Sequence, residues 1–555
     1  MTQPTAPSSP PPEGPPAPPG GPTAAPAPQA APTPAPAVAL EDSRRLSESM
    51  LWGLQRAFYA AQGPDAWKPN RVPFYVTSNP YIAKAYARTV VGFLRDAASQ
   101  GALNREQPLH VVELAAGSGK FSFLCLRFLR ELLGATPPLH GVKLRYVMTD
   151  FAESNLAAWQ KNEKLAPPVE EGVLDFARFD IERDEKVRLV RSGEVLAKGS
   201  LKNPLVAVAN YAFDTTVQDA FFVKAGVLLE GRAALMSSRP EADPKDPGLL
   251  ERASLRYVTA PVEGAYYDDP ALNRVLDRYR KRLSDTSFLI PIGALHGIRH
   301  LREWAGGRML LLCGDKGVSY EEDLLGRGDP SLAFHGGSVS MMVNMHALGA
   351  YFEELGGAAL HGTQRDNRLR IAGLVCGQAE LGETRLAFRE ATDGLTPSQY
   401  SHLMQELRKD YTTPSFDTVM AFLRLSEWDY EVLGNWRDAL KGHLQAATEP
   451  QKAEMVAALR RVYDNFYPMQ RDLAIELCRL CLTMKEGREA VRYARESIRL
   501  FGDQHFSWFT CGVAHTMVHE YEDALRCVQK AVELEPNNVP ARELMVRLEA
   551  RLSGR

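Results

Sequence analysis

Cysteines, long apolar runs and an excess of charge of either sign are scarce in this chain, and each scarcity removes a class of protein. The seven cysteines are scattered over 555 residues without the density or spacing of a disulfide framework, which points to a reducing compartment. Cys478 and Cys481 form a CxxC, but AIELCRLCLTM has helical periodicity and offers neither a second cysteine pair nor nearby histidines. The pair therefore reads as helix packing rather than a metal or redox motif. No stretch approaches the roughly 18–20 apolar residues that span a bilayer. The first basic residue, Arg44, follows no apolar h-region of a signal peptide. A cytoplasmic protein with no membrane partner is expected. Lys and Arg number 65 against 68 Asp and Glu, for a formal net charge of −3. With no long basic run, nothing indicates a nucleic-acid partner.

At 45% hydrophobic residues, the chain suits a globular protein of two or three domains. Residues 1–40 hold 15 of the 38 prolines and one charged residue, Glu13. Such a segment cannot bury enough surface to fold, and it reads as a disordered Pro/Ala-rich spacer. Residues 41–105 read as a helical segment: LEDSRRLSESMLWGLQRAFYAAQG, then an amphipathic helix from about Pro80 to Ser99. Over 106–385 strands alternate with helices: LHVVELAA, KLRYVMTDF, FARFDIE, PLVAVANYAF, GGRMLLLCGD and LRIAGLVCG, separated by helical patterns such as KFSFLCLRFLRELL. This implies parallel βαβ units in an α/β Rossmann-like, doubly wound domain. Residues 395–555 are helical throughout. Trp508, Gly512, Tyr521, Ala524, Ala531 and Pro536 fall at tetratricopeptide-repeat spacings, and Ala490 lies 34 residues before Ala524. Asn435-Trp436-Arg437-Asp438-Ala439-Leu440 resembles the start of another second helix. Such repeats suit a protein or peptide partner.

The first strand runs into VVELAAGSGK. A phosphate-binding GxxxxGK[ST] loop is excluded, because Leu114 takes the first glycine position and Phe121 follows the lysine. A dinucleotide GxGxxG is excluded by Ser122. What remains, E-x-A-x-G-x-G, resembles motif I of class I S-adenosylmethionine-dependent methyltransferases. Glu113, Ala115, Gly117 and Gly119 would line the amino-acid end of that cofactor, with glycines letting the backbone approach and the acid holding cationic groups. The second strand ends at Asp150, where an acid can accept from both ribose hydroxyls. The third segment supplies Asp180, where such enzymes present an acid or amide to the adenine amino group, with Asp184 and Glu185 as close competitors. Phe151 and Ile181, which follow Asp150 and Asp180, complete the set. The fourth strand reaches Asn210 and then Asp214, polar residues on the crevice edge of such a sheet.

Together YVTSNPYIAKAYA, VVELAAGSGKFS, VANYAFDTTVQDAFFV, LLLCGDKG and FHGGSVSMMVNMHAL resemble a diverged MidA-like methyltransferase over about residues 70–380. That family comprises protein arginine methyltransferases involved in respiratory complex I assembly. Against its pattern, Ala115 replaces the first motif-I glycine, Tyr211 the acid after the strand-four asparagine and Val217 a proline. Ser338 to Met342 replace an Asp-Thr signature. The resemblance implies S-adenosyl-L-methionine as cofactor and no metal. Asp214 would orient or deprotonate a nitrogen acceptor, Asn210 hold it and Tyr211 pack beside it. His300, His335 and His346 lack partners visible in sequence. The alternative is a lapsed cofactor domain serving as a scaffold, with the repeats carrying the function. A small-molecule acceptor remains open.

Overall fold

The strand residues form seven runs, largely buried except at the edge strand β6, named here β1 (Leu109–Leu114), β2 (Leu144–Asp150), β3 (Leu174–Arg178), β4 (Leu205–Asn210), β5 (Met309–Asp315), β6 (Ala358–His361) and β7 (Arg370–Cys376). They come from a computed structural model that describes residues 37–67, 72, 74–363, 365, 369–469 and 471–554. The order across the sheet is β6-β7-β5-β4-β1-β2-β3. β1 to β5 are parallel, and β7 runs antiparallel to both β5 and β6. The chain winds outward from β1 through β2 to β3, then returns to place β4 on β1's other side. That reversal opens a crevice beyond the carboxyl ends of β1 and β4.

Alternation explains why these runs are apolar on both faces. Val112, Leu114, Ala207, Ala209, Leu311 and Cys313 face one core, with Leu276, Ile298 and Leu348 from helices on that side. Val111, Met148, Val206, Val208, Leu310 and Leu312 face the other, with α2 (Pro80–Ser99) and α3 (Lys120–Gly134). Burying each Val, Leu, Ile or Met side chain among these contributes about 1.5–3 kcal/mol.

Three boundaries differ from the sequence reading. The expected tail lies outside the described residues up to 36, but Val38–Ala39 pairs antiparallel with Met236–Ser237. The proline-free AVAL supplies backbone donors that the preceding segment lacks. Residues 41–105 are not a separate unit, since α2 is buried between the sheet and helix Gly382–Thr392. Asp96 accepts from the Glu383 and Thr384 amides at 3.1 and 2.7 Å, and a Cβ on Gly92 would meet Glu383 O at 2.6 Å. Third, an antiparallel sheet is inserted after β4, built around strands 219–224, 227–237, 253–261 and 286–290. Its first hairpin turns on Ala225-Gly226, at φ +47° and +76°. Alanine there hides the Asn-Gly or Asp-Gly signal that such a turn usually carries.

From Pro397 the described chain is helical to Leu552. Helices opening at Gly487 and Tyr521 start 34 residues apart, in keeping with the expected repeat period. Arg437 opens a helix as expected, and Trp436 is buried, donating Nε1–H to Tyr411 O at 2.8 Å. The helical region docks onto the sheet domain beside the crevice. Tyr81 stacks on Tyr400 with centroids 4.4 Å apart, Lys84 pairs with Glu427 at 2.6 Å, and Tyr75 OH donates to Asp429 at 2.7 Å.

Candidate active site

The turn after β1 is left-handed at three positions: Ala115 at φ +50°, Gly117 at +55° and Gly119 at +81°. Glycine takes this conformation freely, whereas an L side chain pays about 1–2 kcal/mol. Ala115 thus stands where the backbone asks for glycine. Ala115→Gly is expected to stabilise the fold by up to about 1 kcal/mol, after subtracting roughly 0.5–1 kcal/mol for glycine's greater unfolded freedom. A urea midpoint that rises at constant m would show it. Gly119 cannot take a side chain: a Cβ would lie 2.7 Å from Met148 Cε and 2.9 Å from Tyr467 Oη.

Around this turn one crevice gathers Glu113, Ala115, Gly117, Asp150, Phe151, Asn210, Tyr211 and Asp214. Glu113 forms its floor. Its Oε2 accepts from Ser122 and Tyr146 hydroxyls, each at 2.6 Å, and burial pushes the carboxyl up to about 7 against those two bonds. Asp150 is buried and accepts from Gly117 N at 3.2 Å and Ala152 N at 2.9 Å. Burial raises its pKa while these amides oppose the rise. The bond to Gly117 ties the turn to the end of β2. Asn210 accepts from Tyr86 OH at 2.8 Å, and its Nδ2 has no hydrogen-bond acceptor among the described residues.

An adjoining compartment holds Asp180 and Ile181 and shares Tyr59, Ala115, Phe151 and Thr215 with the first. Asp180 is brought to the crevice, but its carboxylate is engaged: Arg56 from helix α1 (Met50–Gln62) pairs with both its oxygens and with Glu182 at 2.9 Å. The Arg56 guanidinium also lies over the Phe151 ring, 4.8 Å from its centroid. Ile181 backs onto Gly297, where a Cβ would clash.

The same crevice has a polar wall of Asp214, Lys316, His335 and Ser340. Asp214 and Asp315 are buried, and each has one oxygen without a donor among the described residues. Burial raises Asp214 to about 6, with Lys316 opposing, and burial plus the neighbouring Asp214 charge drives Asp315 well above the carboxylate range. Lys316 Nζ lies 2.9 Å from His335 Nε2, which is 3.2 Å from Ser340 Oγ. Burial and Lys316 lower the His335 pKa. Of the three histidines singled out, His335 lines the crevice. His346 instead bonds Tyr279 OH at 2.7 Å, and His300 is half-exposed on the helix Ile292–Trp304. Sequence reasoning missed Arg56, Tyr59, Trp67, Tyr86, Asp315, Lys316 and Ser340. Only Asp315 carried a usable signal, as an acid closing an apolar strand.

The lysine of GSGK turns away from the crevice. Lys120 is buried, with Nζ 4.7 Å from the Tyr430 ring centroid and 5.6 Å from that of Tyr75. Burial lowers its pKa, but Tyr430 and Asp429 outweigh this and raise it overall. Tyr467 of the helical region donates to Ser118 O at 2.9 Å. The helical region therefore braces the outer side of the turn.

No family model and no curated protein matches this chain. Among solved structures, an uncharacterized COG1565 superfamily protein from Burkholderia thailandensis is 14% identical with a TM-score of 0.36, over 61% of this chain and 94% of its own. A COG1565 superfamily member from the same organism, thought to be a methyl transferase and bound to S-adenosyl-homocysteine, is 12% identical with a TM-score of 0.39, over 62% and 90%. MamA from Desulfovibrio magneticus RS-1, from residue 41 to its end, is 16% identical with a TM-score of 0.23, over 28% and 85%.

Proposed function

We propose that this chain is an S-adenosylmethionine-dependent methyltransferase. The observation that carries the reading is the make-up of the crevice at the β1/β4 reversal. A left-handed small-residue turn lies over a buried Glu113 that has no cation beside it among the described residues, flanked by Asp150 and by an Asn210 amide with a donor unused among those residues. These residues fit the cofactor's groups. Glu113 would receive its cationic end, Asp150 its ribose hydroxyls and Asn210 Nδ2 an acceptor atom. The bound cofactor supplies an electrophilic methyl group on a sulfonium. The protein's part is to place the acceptor and keep water out. Asp214, in the same crevice, would hold the acceptor nitrogen and take its proton, with Asp315, Lys316 and His335 setting its charge. The Arg56–Asp180 pair leaves the adenine side to be held by Phe151, Ile181 and the backbone.

Calorimetric titration with S-adenosylmethionine tests the binding. Because a ligand cation favours the Glu113 carboxylate, binding below pH 7 must release a proton. Affinity is expected to tighten about fivefold from pH 6 to pH 7, by about a further twofold above pH 7, and to level off beyond about pH 8. Glu113→Gln should flatten that profile. An absence of binding at any pH would sink the proposal.

The acceptor in this reading is a protein or peptide held by the C-terminal repeats, which dock beside the crevice. Methyl label supplied in a cell lysate should then enter the protein fraction rather than small molecules. A second reading, a scaffold that binds the cofactor without turnover, draws on Arg56 filling Asp180. Binding without label transfer would decide for it.

A further inference from the structure

The helix His505–Met517 and the helix Tyr521–Leu534 form the last in-register hairpin. Between them lie Cys511, His515 and Cys527, all buried. One ligand atom from each falls within 4.8 Å of the others. Cys511 and His515 sit four residues apart on one helical face, and Cys527 reaches them from the next helix. The Sγ atoms of Cys511 and Cys527 are 3.5 Å apart. That is too long for a disulfide bond of about 2.05 Å. It is close to the roughly 3.8 Å between two thiolates on a tetrahedral zinc with bonds of about 2.3 Å.

The preceding hairpin provides an internal comparison. Thirty-four residues earlier, the same three positions are Leu477, Cys481 and Tyr493, all buried in the core. The helical packing thus accepts a leucine, a cysteine and a tyrosine here, and among the described residues the last hairpin alone brings two thiols and an imidazole together. His515 Nδ1 is 2.6 Å from Glu520 Oε2, the carboxylate contact that fixes the ring of a metal-bound histidine. Arg495 Nη2 lies 3.5 Å from His515 Nε2, a contact that a metal at Nε2 would displace. Cys478 and Cys481, the sequence's CxxC, are buried and join no such cluster among the described residues.

We propose that Cys511, His515 and Cys527 bind a thiophilic divalent cation of the zinc class, with Glu520 as the positioning residue for His515. Two thiolates balance the ion's charge, so the buried centre is neutral. A fourth, exchangeable position is left for water or a carboxylate. The ion would fasten the two helices of this hairpin to each other, beside the helix Val539–Leu552 that packs on it.

The test uses the full chain, reduced and stripped with a chelator, then titrated with Co²⁺ and afterwards Zn²⁺. One Co²⁺ per chain is expected, giving sulfur-to-cobalt charge-transfer absorption that Zn²⁺ bleaches, and native mass spectrometry should show one zinc replacing two protons. Cys511→Ser and Cys527→Ser should each lose the absorption, Cys478→Ser should keep it, and Glu520→Gln should weaken affinity about 10–100-fold. Circular dichroism checks that the variants fold. The wild-type mass measurement needs no variant. The assignment is overturned by a wild-type chain that takes up no metal, by absorption that survives both serine variants, or by a reduced chain that only forms a Cys511–Cys527 disulfide on mild oxidation.

Discussion

Asp214→Asn is expected to leave S-adenosylmethionine affinity within about threefold and to lower methyl transfer by about 10²–10⁴-fold, the range for removing a positioned proton acceptor. Asp214 lines the same crevice but is not among the hydrogen-bond partners seen for Glu113, Asp150 and Asn210, so its loss should leave the groups that would hold the cofactor in place. Its carboxyl is raised to about 6 by burial, with Lys316 opposing, and it abuts Asp315. At neutral pH the pair holds one proton on Asp315, leaving Asp214 ionised to accept another. Burial raises Asp214 above its unfolded value. Its contribution to folding is therefore fully present below about pH 4 and is lost as pH rises through about 6. Asn abolishes that loss, so the variant should be at least as stable as the parent at pH 7. Single-turnover label transfer alongside a thermal melt separates the two effects. Undiminished transfer would remove Asp214 from the mechanism.

Lys120→Met should destabilise the chain by about 3 kcal/mol or more, the scale for stripping the partner from a buried charge. A lysine in the first turn of α3 opposes the helix dipole, so its burial there needs another cause. Asp429 is that cause. It is fully buried, caps the helix Tyr430–Asn435 and accepts from Tyr75. Without Lys120 it keeps the Tyr75 bond but loses the cation that opposes the effect of burial on its carboxyl. The double variant Lys120→Met/Asp429→Asn should recover part of the loss. In urea unfolding, additive single effects would show that the two groups do not interact. Because Tyr467 and Lys120 flank the glycine turn, the Lys120 variant should also weaken cofactor binding under the proposed function.

The strands, the two long helices beside them and the crevice edge were legible because a parallel sheet covered on both faces needs continuous apolar runs. Residues such as Glu113, Asp150 and Asn210 stand out where those runs stop. The inserted antiparallel sheet was not legible. Its hairpin turns on Ala225 rather than Asn or Asp, and 253–261 alternates half-buried with exposed residues and buries only Ala253. The meaning of GSGK was half legible: the motif rules excluded a phosphate loop, but the direction of Lys120 was not encoded locally.

The sequence by itself determined the succession of parallel strands and their crossover helices, the small-residue turn after β1 and the acids that close successive strands, because periodicity and turn chemistry are local. Only the tertiary structure decided what each of these meets. Arg56 reaches Asp180 across 124 residues and Tyr467 reaches Ser118 across 349. Lys316 meets His335 against Asp214, and Cys527 meets Cys511 and His515. Such partners are chosen by how elements pack, and packing brings together residues whose spacing along the chain carries no sign that they will touch.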